Sequence, residues 1–299
     1  SDLKNYRAVE RQAVCRPFRQ YRVCGFPPPT SGGVTTLQIL RLMEFAEQQP
    51  LHADSVDFYH LFSQASRLAY ADRARYLADS DFIQVPVDEL LDEGYLRQRS
   101  QLISPLKDMS KAIPGELPGK ISRADDQSPE LPSTSHFVIF DRWGNAVSMT
   151  SSIEMAFGST LMTGGFLLNN QLTAFSFVAE QDGKPVANRV QAGKRPRSSM
   201  SPVMVFDENN RLVAALGSPG GSRIISYVAQ NLYLKLSSDI SLQQAFNTPH
   251  VVNRNGVTEL EEGTAAEQLA EPLKALGHEI KIRDQNSALH GFFRQADGR

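Results

Sequence analysis

The chain has 299 residues, of which 41% are hydrophobic, and 31 basic against 33 acidic residues leave a formal net charge of −2 at pH 7. A chain of this length can bury a full core without disulfides or metals. Near-neutral charge argues against a nucleic-acid-binding protein, which usually carries a concentrated basic face. The only two cysteines, Cys15 and Cys24, form no disulfide framework. They could pair, but we interpret them as ordinary small apolar residues.

The two ends of the chain and its longest uncharged stretch bear on whether the protein spans a membrane or carries a signal peptide. Residues 155–179 carry no charge, but several glycines and amides make this segment too polar for a membrane span. The first residues lack the basic and then apolar run of a signal peptide. The last residues are typical of a turn between strands. Both ends leave open that the chain is a piece of a longer protein, and the sequence leaves the compartment undetermined.

The predicted elements begin with a strand, continue with helices and end in a β-rich region. Helical spacing of apolar residues predicts helices over residues 35–48, 55–77 and 87–102. Alternation and turn signals predict a hairpin with strands at 136–140 and 146–152. The remaining predicted strands lie at 21–26, 165–169, 202–206, 211–216, 257–260 and 279–282, and the remaining helices at 224–235, 242–247 and 265–276. Hairpin clusters with helices between them indicate a layered α+β fold.

Between the helical and the β-rich regions, residues 103–131 are polar and rich in proline and glycine. We interpret a stretch from about residue 104 to 133 as a long, exposed and mobile loop, because such loops inside compact domains are often functional. The six histidines and two cysteines show no C-x-x-C or H-x-x-x-H spacing, so we predict neither a metal nor a cofactor.

Three segments are dense in small, hydroxyl and backbone-exposing residues. In Pro132–His136, a threonine released by a cut would carry an α-amine with a pKa of about 7.7–8.0, which suits a general base for its own hydroxyl, although a Ser/Thr-rich loop end explains the segment as well. Gly217–Ser222 joins a strand to a helix, where backbone N–H groups can build an oxyanion hole, although a tight turn explains it equally. Lys194–Pro202 places two serines beside cationic residues, which suits a carboxylate, although a basic turn explains it as well.

Taken in order, these segments resemble the γ-glutamyltranspeptidase family of N-terminal-nucleophile hydrolases. The resemblance runs from about residue 21 to 290. Its motifs are Pro27–Gly33, Thr134–His136, Asp141–Asn145, Phe157–Gly158, Leu167–Gln171, Lys194–Pro202 and Gly217–Arg223.

The resemblance implies a four-layer αββα sandwich and a precursor that cuts itself between Ser133 and Thr134. Residues 1–133 would then be the C-terminal part of a large subunit, and residues 134–299 a small subunit that begins with the nucleophile. The implied activity is transfer or hydrolysis of γ-glutamyl amides such as glutathione, with water, an amino acid or a peptide as acceptor. The implied roles are catalysis for Thr134, Ser152, Gly220 and Gly221, and substrate binding for Glu154, Gln171, Ser198 and Ser199.

The chain departs from the family pattern at several points. Ala174 stands where members usually carry an aspartate that holds the substrate ammonium, and Glu154 stands where many have asparagine. Glu154 would restore a negative charge nearby or be a trait of a subgroup. The arginine that clamps the α-carboxylate in the family has no recognisable counterpart, and we expect it in a missing N-terminal part. The usual C-terminal strand is also missing.

These departures leave two further hypotheses beside a γ-glutamyl enzyme. The substrate acyl group could lack an α-ammonium, as in a dicarboxylic monoamide or a β-lactam side chain. Alternatively, the chain is an unprocessed inactive fragment or a binding module, and pairing with a second copy would then cover its exposed core.

Overall fold

The computed structural model describes residues 2–49, 51–53, 55–119, 121–128, 133–285 and 287–294. Two of the predicted helices are long: α2 covers Gly32–Ala46 and α3 covers Val56–Tyr76. The α3 helix begins where the Ser55 hydroxyl accepts a hydrogen bond from the Phe58 N–H, which satisfies one of the open donors of its first turn. The other helices are α1 (Asp2–Asn5), α4 (Val87–Leu90), α5 (Glu93–Ser100), α6 (Ile224–Ser237), α7 (Leu242–Asn247) and α8 (Ala270–Ala275).

Among the described residues, the strands form one five-stranded sheet, one three-stranded sheet and three two-stranded hairpins. In chain order they are β1 (Val14–Phe18), β2 (Tyr21–Gly25), β3 (Ser135–Phe140), β4 (Ala146–Ser151), β5 (Met162–Thr163), β6 (Phe166–Leu167), β7 (Glu180–Gln181), β8 (Lys184–Pro185), β9 (Val203–Phe206), β10 (Leu212–Gly217), β11 (Val251–Asn253), β12 (Thr258–Glu261), β13 (Ile280–Arg283) and β14 (His290–Phe293). The large sheet is antiparallel, in the order β1-β2-β9-β10-β14.

The five-stranded sheet is covered on both faces, so the described residues form three of the four predicted layers. Helices α2 and α6 pack on one face, where Ala214 and Leu216 of β10 belong to the main hydrophobic core. The β3–β4 hairpin packs on the other face, and the Phe140 ring contacts the Phe292 ring of β14 with centroids 5.0 Å apart. Sheet-on-sheet packing with a helical layer confirms the predicted α+β class.

Three local predictions are wrong. Cys15 and Cys24 form a disulfide, because the unpredicted strand β1 pairs antiparallel with β2 and places the two cysteines directly opposite each other. The predicted helix over residues 87–102 is divided into α4 and α5, since Asp92 caps a new helix by accepting from the Tyr95 N–H. The predicted helix over residues 265–276 begins as a 3-10 helix, Ala265–Leu269, and continues as α8.

The proline-rich stretch after α5 lacks helix and strand in its described part, residues 103–119 and 121–128. Asp108, Ala112, Leu117 and Ala124 are nevertheless buried. The Asp108 carboxylate accepts from the Arg67 guanidinium of α3 at 2.8 and 3.0 Å, which anchors the segment to the helical layer. The predicted exposure is therefore wrong at these four positions, whereas mobility stays a prediction. Residues 129–132 lie outside the described residues.

Candidate active site

Most of the predicted site residues line one cleft. Seven of the nine predicted site residues line it. They are Thr134, Ser152, Glu154, Gln171, Ser198, Ser199 and Gly221. The other two adjoin it, because Ser133 precedes Thr134 and Gly220 precedes Gly221 in the chain. Ala174, Arg197, Met200, Ser222 and Ile224 complete the lining.

The β3–β4 hairpin brings Thr134 and Ser152 together. Thr134 lies just before β3 and Ser152 just after β4, and the hairpin register pairs their neighbours Ser135 and Ser151. In this uncut chain, the Ser133 carbonyl oxygen accepts from the Thr134 hydroxyl at 2.5 Å and from the Ser152 hydroxyl at 2.8 Å. The Ser152 hydroxyl therefore polarises the Ser133 carbonyl group. The Thr134 hydroxyl, whose oxygen can act as a nucleophile, lies beside the same group.

One wall of the cleft is formed by Glu154 and Gln171. Glu154 has a positive φ of 77°, and its N–H donates to the Ser152 hydroxyl at 2.9 Å. Gln171 begins the 3-10 helix Gln171–Ala174. When the Gln171 amide is oriented so that its oxygen faces donors, its nitrogen donates to Glu154 Oε2 at 3.2 Å. Glu154 therefore supplies the carboxylate of this wall, next to Ala174.

A second wall of the cleft carries Ser198 and Ser199. This loop pairs with Thr30 and Ser31, whose backbone and side chains bond to it: both the N–H and the hydroxyl of Ser31 donate to the Ser198 carbonyl oxygen at 2.8 Å. Close approach of the two loops requires glycine at position 32, because a Cβ there would lie 2.2 Å from the Met200 carbonyl oxygen.

The Ser198 hydroxyl lines the cleft and is held by a backbone donor. It accepts from the Met200 N–H at 3.0 Å. The Thr30 hydroxyl lies 3.3 Å away, but its one hydrogen is donated to the Met200 carbonyl oxygen at 2.8 Å. The hydrogen of the Ser198 hydroxyl can therefore be donated to an anionic group in the cleft.

Two buried arginines behind this wall were not singled out by the sequence reasoning as individual site residues. Arg197 lines the cleft, and its guanidinium lies 2.5 Å from the Asp126 carboxylate. Arg73, on α3, donates to the hydroxyls of Ser31 and Ser199. Arg197 lies in Lys194–Pro202, a segment that the sequence analysis describes. Arg73 could be noticed in the sequence only as a charged residue within the apolar stripe of a predicted helix.

The Gly217–Ser222 segment begins at the last residue of β10 and leads through the 3-10 helix Gly221–Arg223 into α6. Gly220 and Gly221 have φ values of +133° and +60°, which favour glycine, and a Cβ at Gly220 would also lie 2.5 Å from the Tyr227 ring. The turn places N–H groups at the positive end of a helix, beside Thr134. This arrangement can stabilise a developing oxyanion.

A buried histidine of β3, His136, packs against the Gly217–Ser222 turn. The His136 ring lies against Gly217, and its Nδ1 is 2.8 Å from the Thr150 hydroxyl. Burial, together with the nearby His290, lowers the pKa of His136 to about 4. His136 is therefore uncharged at neutral pH, where it acts as a packing and hydrogen-bonding group.

Within the described ranges, no group of three or more His, Cys, Asp or Glu side chains is placed to hold a metal ion. Nor does any helix in that part of the chain have the length and apolar character needed to cross a membrane.

Comparison with known proteins gives close relatives over nearly the whole chain. The chain is 34% identical over 290 residues to a glutathione hydrolase proenzyme of Bacillus subtilis (strain 168), covering 93% of this chain and 48% of that protein. It is 35% identical over 282 residues to the acylase ACY 1 proenzyme of Pseudomonas sp. (strain V22), covering 94% and 47%. The chain thus spans about half the length of the curated relatives it matches.

Structural comparison supports the same assignment at the level of the fold. A cephalosporin acylase from Bacillus halodurans superimposes with a TM-score of 0.82 at 23% identity, covering 99% of this chain and 51% of that chain. The family model described as gamma-glutamyltranspeptidase matches residues 1–298. The chain therefore belongs to the gamma-glutamyltranspeptidase family.

Proposed function

We propose that this chain carries the active site of a self-cleaving acyl-transfer enzyme that acts on γ-glutamyl amides of the glutathione type. The single observation that carries the proposal is the contact of the Thr134 and Ser152 hydroxyls with the Ser133 carbonyl oxygen, in a cleft that also contains Gly221, Ser198 and Ser199. Relatives that include a glutathione hydrolase proenzyme support it.

Self-cleavage comes first. The Thr134 hydroxyl oxygen bonds to the Ser133 carbonyl carbon, the C–N bond of the peptide breaks, and the proton lost by the hydroxyl passes to the nitrogen, which becomes the free α-amine. Water then hydrolyses the resulting ester, which returns the hydroxyl to Thr134 and leaves a carboxylate on Ser133. The Ser152 hydroxyl, 2.8 Å from the Ser133 carbonyl oxygen, stabilises the negative charge that develops there.

Turnover uses the group that self-cleavage releases. The α-amine of Thr134, with an ordinary pKa of about 7.7–8.0, accepts the proton of its own hydroxyl. The hydroxyl oxygen attacks the amide carbonyl of the substrate, and N–H groups of the Gly220–Gly221 turn stabilise the oxyanion. The amine leaves with a proton, and water or an amino acceptor takes the acyl group from Thr134.

Recognition of the γ-glutamyl group follows from the polar and charged groups that line the cleft. The hydroxyls of Ser198 and Ser199, with Arg197 beside them, hold the α-carboxylate, while Glu154 and Gln171 face the α-ammonium. In this proposal Glu154 provides the negative charge that Ala174 does not.

The experiment combines intact-mass analysis with an activity assay. Wild-type protein is expected to yield a piece that begins at Thr134 and to release amine from a γ-glutamyl anilide. Thr134→Ala is expected to stay uncut and inactive, whereas Ser135→Ala, at an exposed neighbour, is expected to behave as wild type. A Thr134→Ala protein that is still cut and active would refute the proposal.

A second candidate keeps the chemistry and changes the acyl group. Ala174 in the cleft and the similarity to the acylase ACY 1 proenzyme favour an acyl group without an α-ammonium, such as a dicarboxylic monoamide or a β-lactam side chain. Rates on a γ-glutamyl anilide and on the matching glutaryl anilide separate the two candidates. A clear preference for the glutaryl compound would favour the second.

A further inference from the structure

We propose that Arg73 is a positioning residue that orients Ser31 and Ser199 for binding the substrate carboxylate. This inference rests on the proposed function, in which Ser199 contacts that carboxylate. Arg73 lies on α3, is 4% exposed, and donates from Nε to the Ser31 hydroxyl at 2.8 Å and from a terminal nitrogen to the Ser199 hydroxyl at 2.6 Å.

The direction of these hydrogen bonds fixes what the two serines can do. A guanidinium only donates, so each serine oxygen that it contacts must accept. The Ser31 hydroxyl in turn donates a hydrogen bond to the Ser198 carbonyl oxygen at 2.8 Å. Ser199 keeps its hydrogen for the cleft, and the nearby positive charge makes that hydroxyl a stronger donor to an anion. One arginine therefore sets both the backbone position of Ser198 and the donor direction of Ser199.

The surroundings of Arg73 leave its head group little freedom. Its guanidinium carbon lies 5.5 Å from the centre of the Tyr70 ring, one helical turn earlier, and its carbonyl oxygen accepts from Arg197 at 3.1 Å. The Tyr70 hydroxyl in turn donates to the Ser222 carbonyl oxygen at 2.5 Å. The α3 helix thus contacts the serine wall through Arg73 and the glycine turn through Tyr70.

The contact also joins the two sides of the proposed cut. Arg73 precedes residue 133 and Ser199 follows it, so the orientation of Ser199 depends on a residue from the other piece. Lysine at this position would keep the charge but lacks the planar fork that bonds two hydroxyls at once. The structure therefore predicts that Arg73→Lys is not a conservative substitution.

The test uses the intact, self-cleaved protein and two substrates that differ only at the α-carboxyl group: a γ-glutamyl anilide and its α-carboxamide. Arg73→Gln and Arg73→Lys are expected to raise KM for the carboxylate substrate about tenfold, which corresponds to about 1.4 kcal/mol. For the carboxamide the expected change in KM is less than about twofold, and kcat changes little for either substrate. Arg75→Gln is the matched control, because its side chain is 31% exposed and pairs with Asp125.

Two further measurements separate positioning from general support of the fold. In a Ser199→Ala background, Arg73→Gln should raise KM for the carboxylate substrate by only about threefold, which is the part that acts through Ser31. If Arg73 variants do not fold, Ser31→Ala removes the link to Ser198 while keeping Arg73, and a rise in KM of about threefold, selective for the carboxylate, is expected. Equal losses on both substrates, or additive effects with Ser199→Ala, would overturn the inference.

Failure of the proposed function would be recognised separately. Wild-type protein that turns over neither anilide contradicts that function. Calorimetric binding of glutamate and of its α-carboxamide, isoglutamine, to the same variants then decides the inference: a loss of affinity confined to glutamate supports it, and binding that is unchanged or not detectable in the wild type overturns it.

Discussion

Removal of the Ser152 hydroxyl tests the chemistry of self-cleavage most directly. Ser152→Ala deletes one oxygen that donates to the Ser133 carbonyl oxygen at 2.8 Å and accepts from the Glu154 N–H at 2.9 Å. In the uncut ground state, a neutral hydrogen bond of this kind contributes only about 0.5–1.5 kcal/mol. In the transition state the Ser133 carbonyl oxygen carries negative charge. Loss of one hydrogen-bond donor to such an oxyanion costs about 2.7–4 kcal/mol.

The expected result is self-cleavage slowed by about 100- to 1,000-fold. The assay follows the fraction of uncut chain by intact mass and denaturing gel, from harvest through a timed incubation at neutral pH. Ser152→Thr should restore most of the rate, because it keeps the hydroxyl. Ser151→Ala should match wild type, because Ser151 is the exposed neighbour on β4.

The reasoning fails if Ser152→Ala cuts itself at the wild-type rate. It also fails if Ser151→Ala is slowed as much, since the effect would then come from the hairpin and not from the hydroxyl. Thermal unfolding of each variant shows whether the loss of the Glu154 N–H acceptor has disturbed the fold, and a slow variant with normal stability isolates the chemical contribution.

Three further predictions concern stability and assembly. Gly32→Ala places a methyl group 2.2 Å from the Met200 carbonyl oxygen and should lower the free energy of unfolding in urea by about 2 kcal/mol, whereas Gly256→Ala, with nothing within 4 Å, should be close to neutral. Burial lowers the pKa of His136 from 6.5 to about 4, so the unfolded chain binds an extra proton between these values and stability falls as pH falls from 6.5. His136→Gln should reduce that loss by up to about 2 kcal/mol at pH 5, and an unchanged slope in urea titrations at several pH values would contradict the assignment. After self-cleavage, the two pieces should elute together in native gel filtration and separate only in denaturant, and separation under native conditions would contradict the packing described.

Much of the fold was predictable because local patterns dominate it. The apolar stripes of α2 and α3 and the turn between β3 and β4 appear directly in the sequence. The strand β1 was missed because Val14–Phe18 contains an exposed proline, Pro17, and a charged residue, and its pairing with β2 is what makes the Cys15–Cys24 disulfide possible. Partner-dependent strands of this kind leave a weak local signal.

The candidate site was predictable to the extent that it consists of short motifs. Segments around Thr134, Ser198 and Gly220 attracted attention through their residue types and were brought to one cleft by the fold. Arg73 has no motif around it, and its relation to Ser199 depends on a contact across 126 positions of the chain. A helical residue that acts through another side chain is visible only once the packing of the helix is known.

The topology explains how a cut at Ser133–Thr134 would leave the site intact. Strand β2, before the cut, pairs with β9, after it, from Arg22 opposite Phe206 to Gly25 opposite Val203. The hydrophobic core likewise takes residues from α2 and α3 on one side and from α6 on the other. Breaking one peptide bond removes none of these contacts, so both walls of the cleft would stay in place. The cut frees two new ends, the carboxylate of Ser133 and the α-amine of Thr134, and the α-amine is the base that the proposed turnover uses.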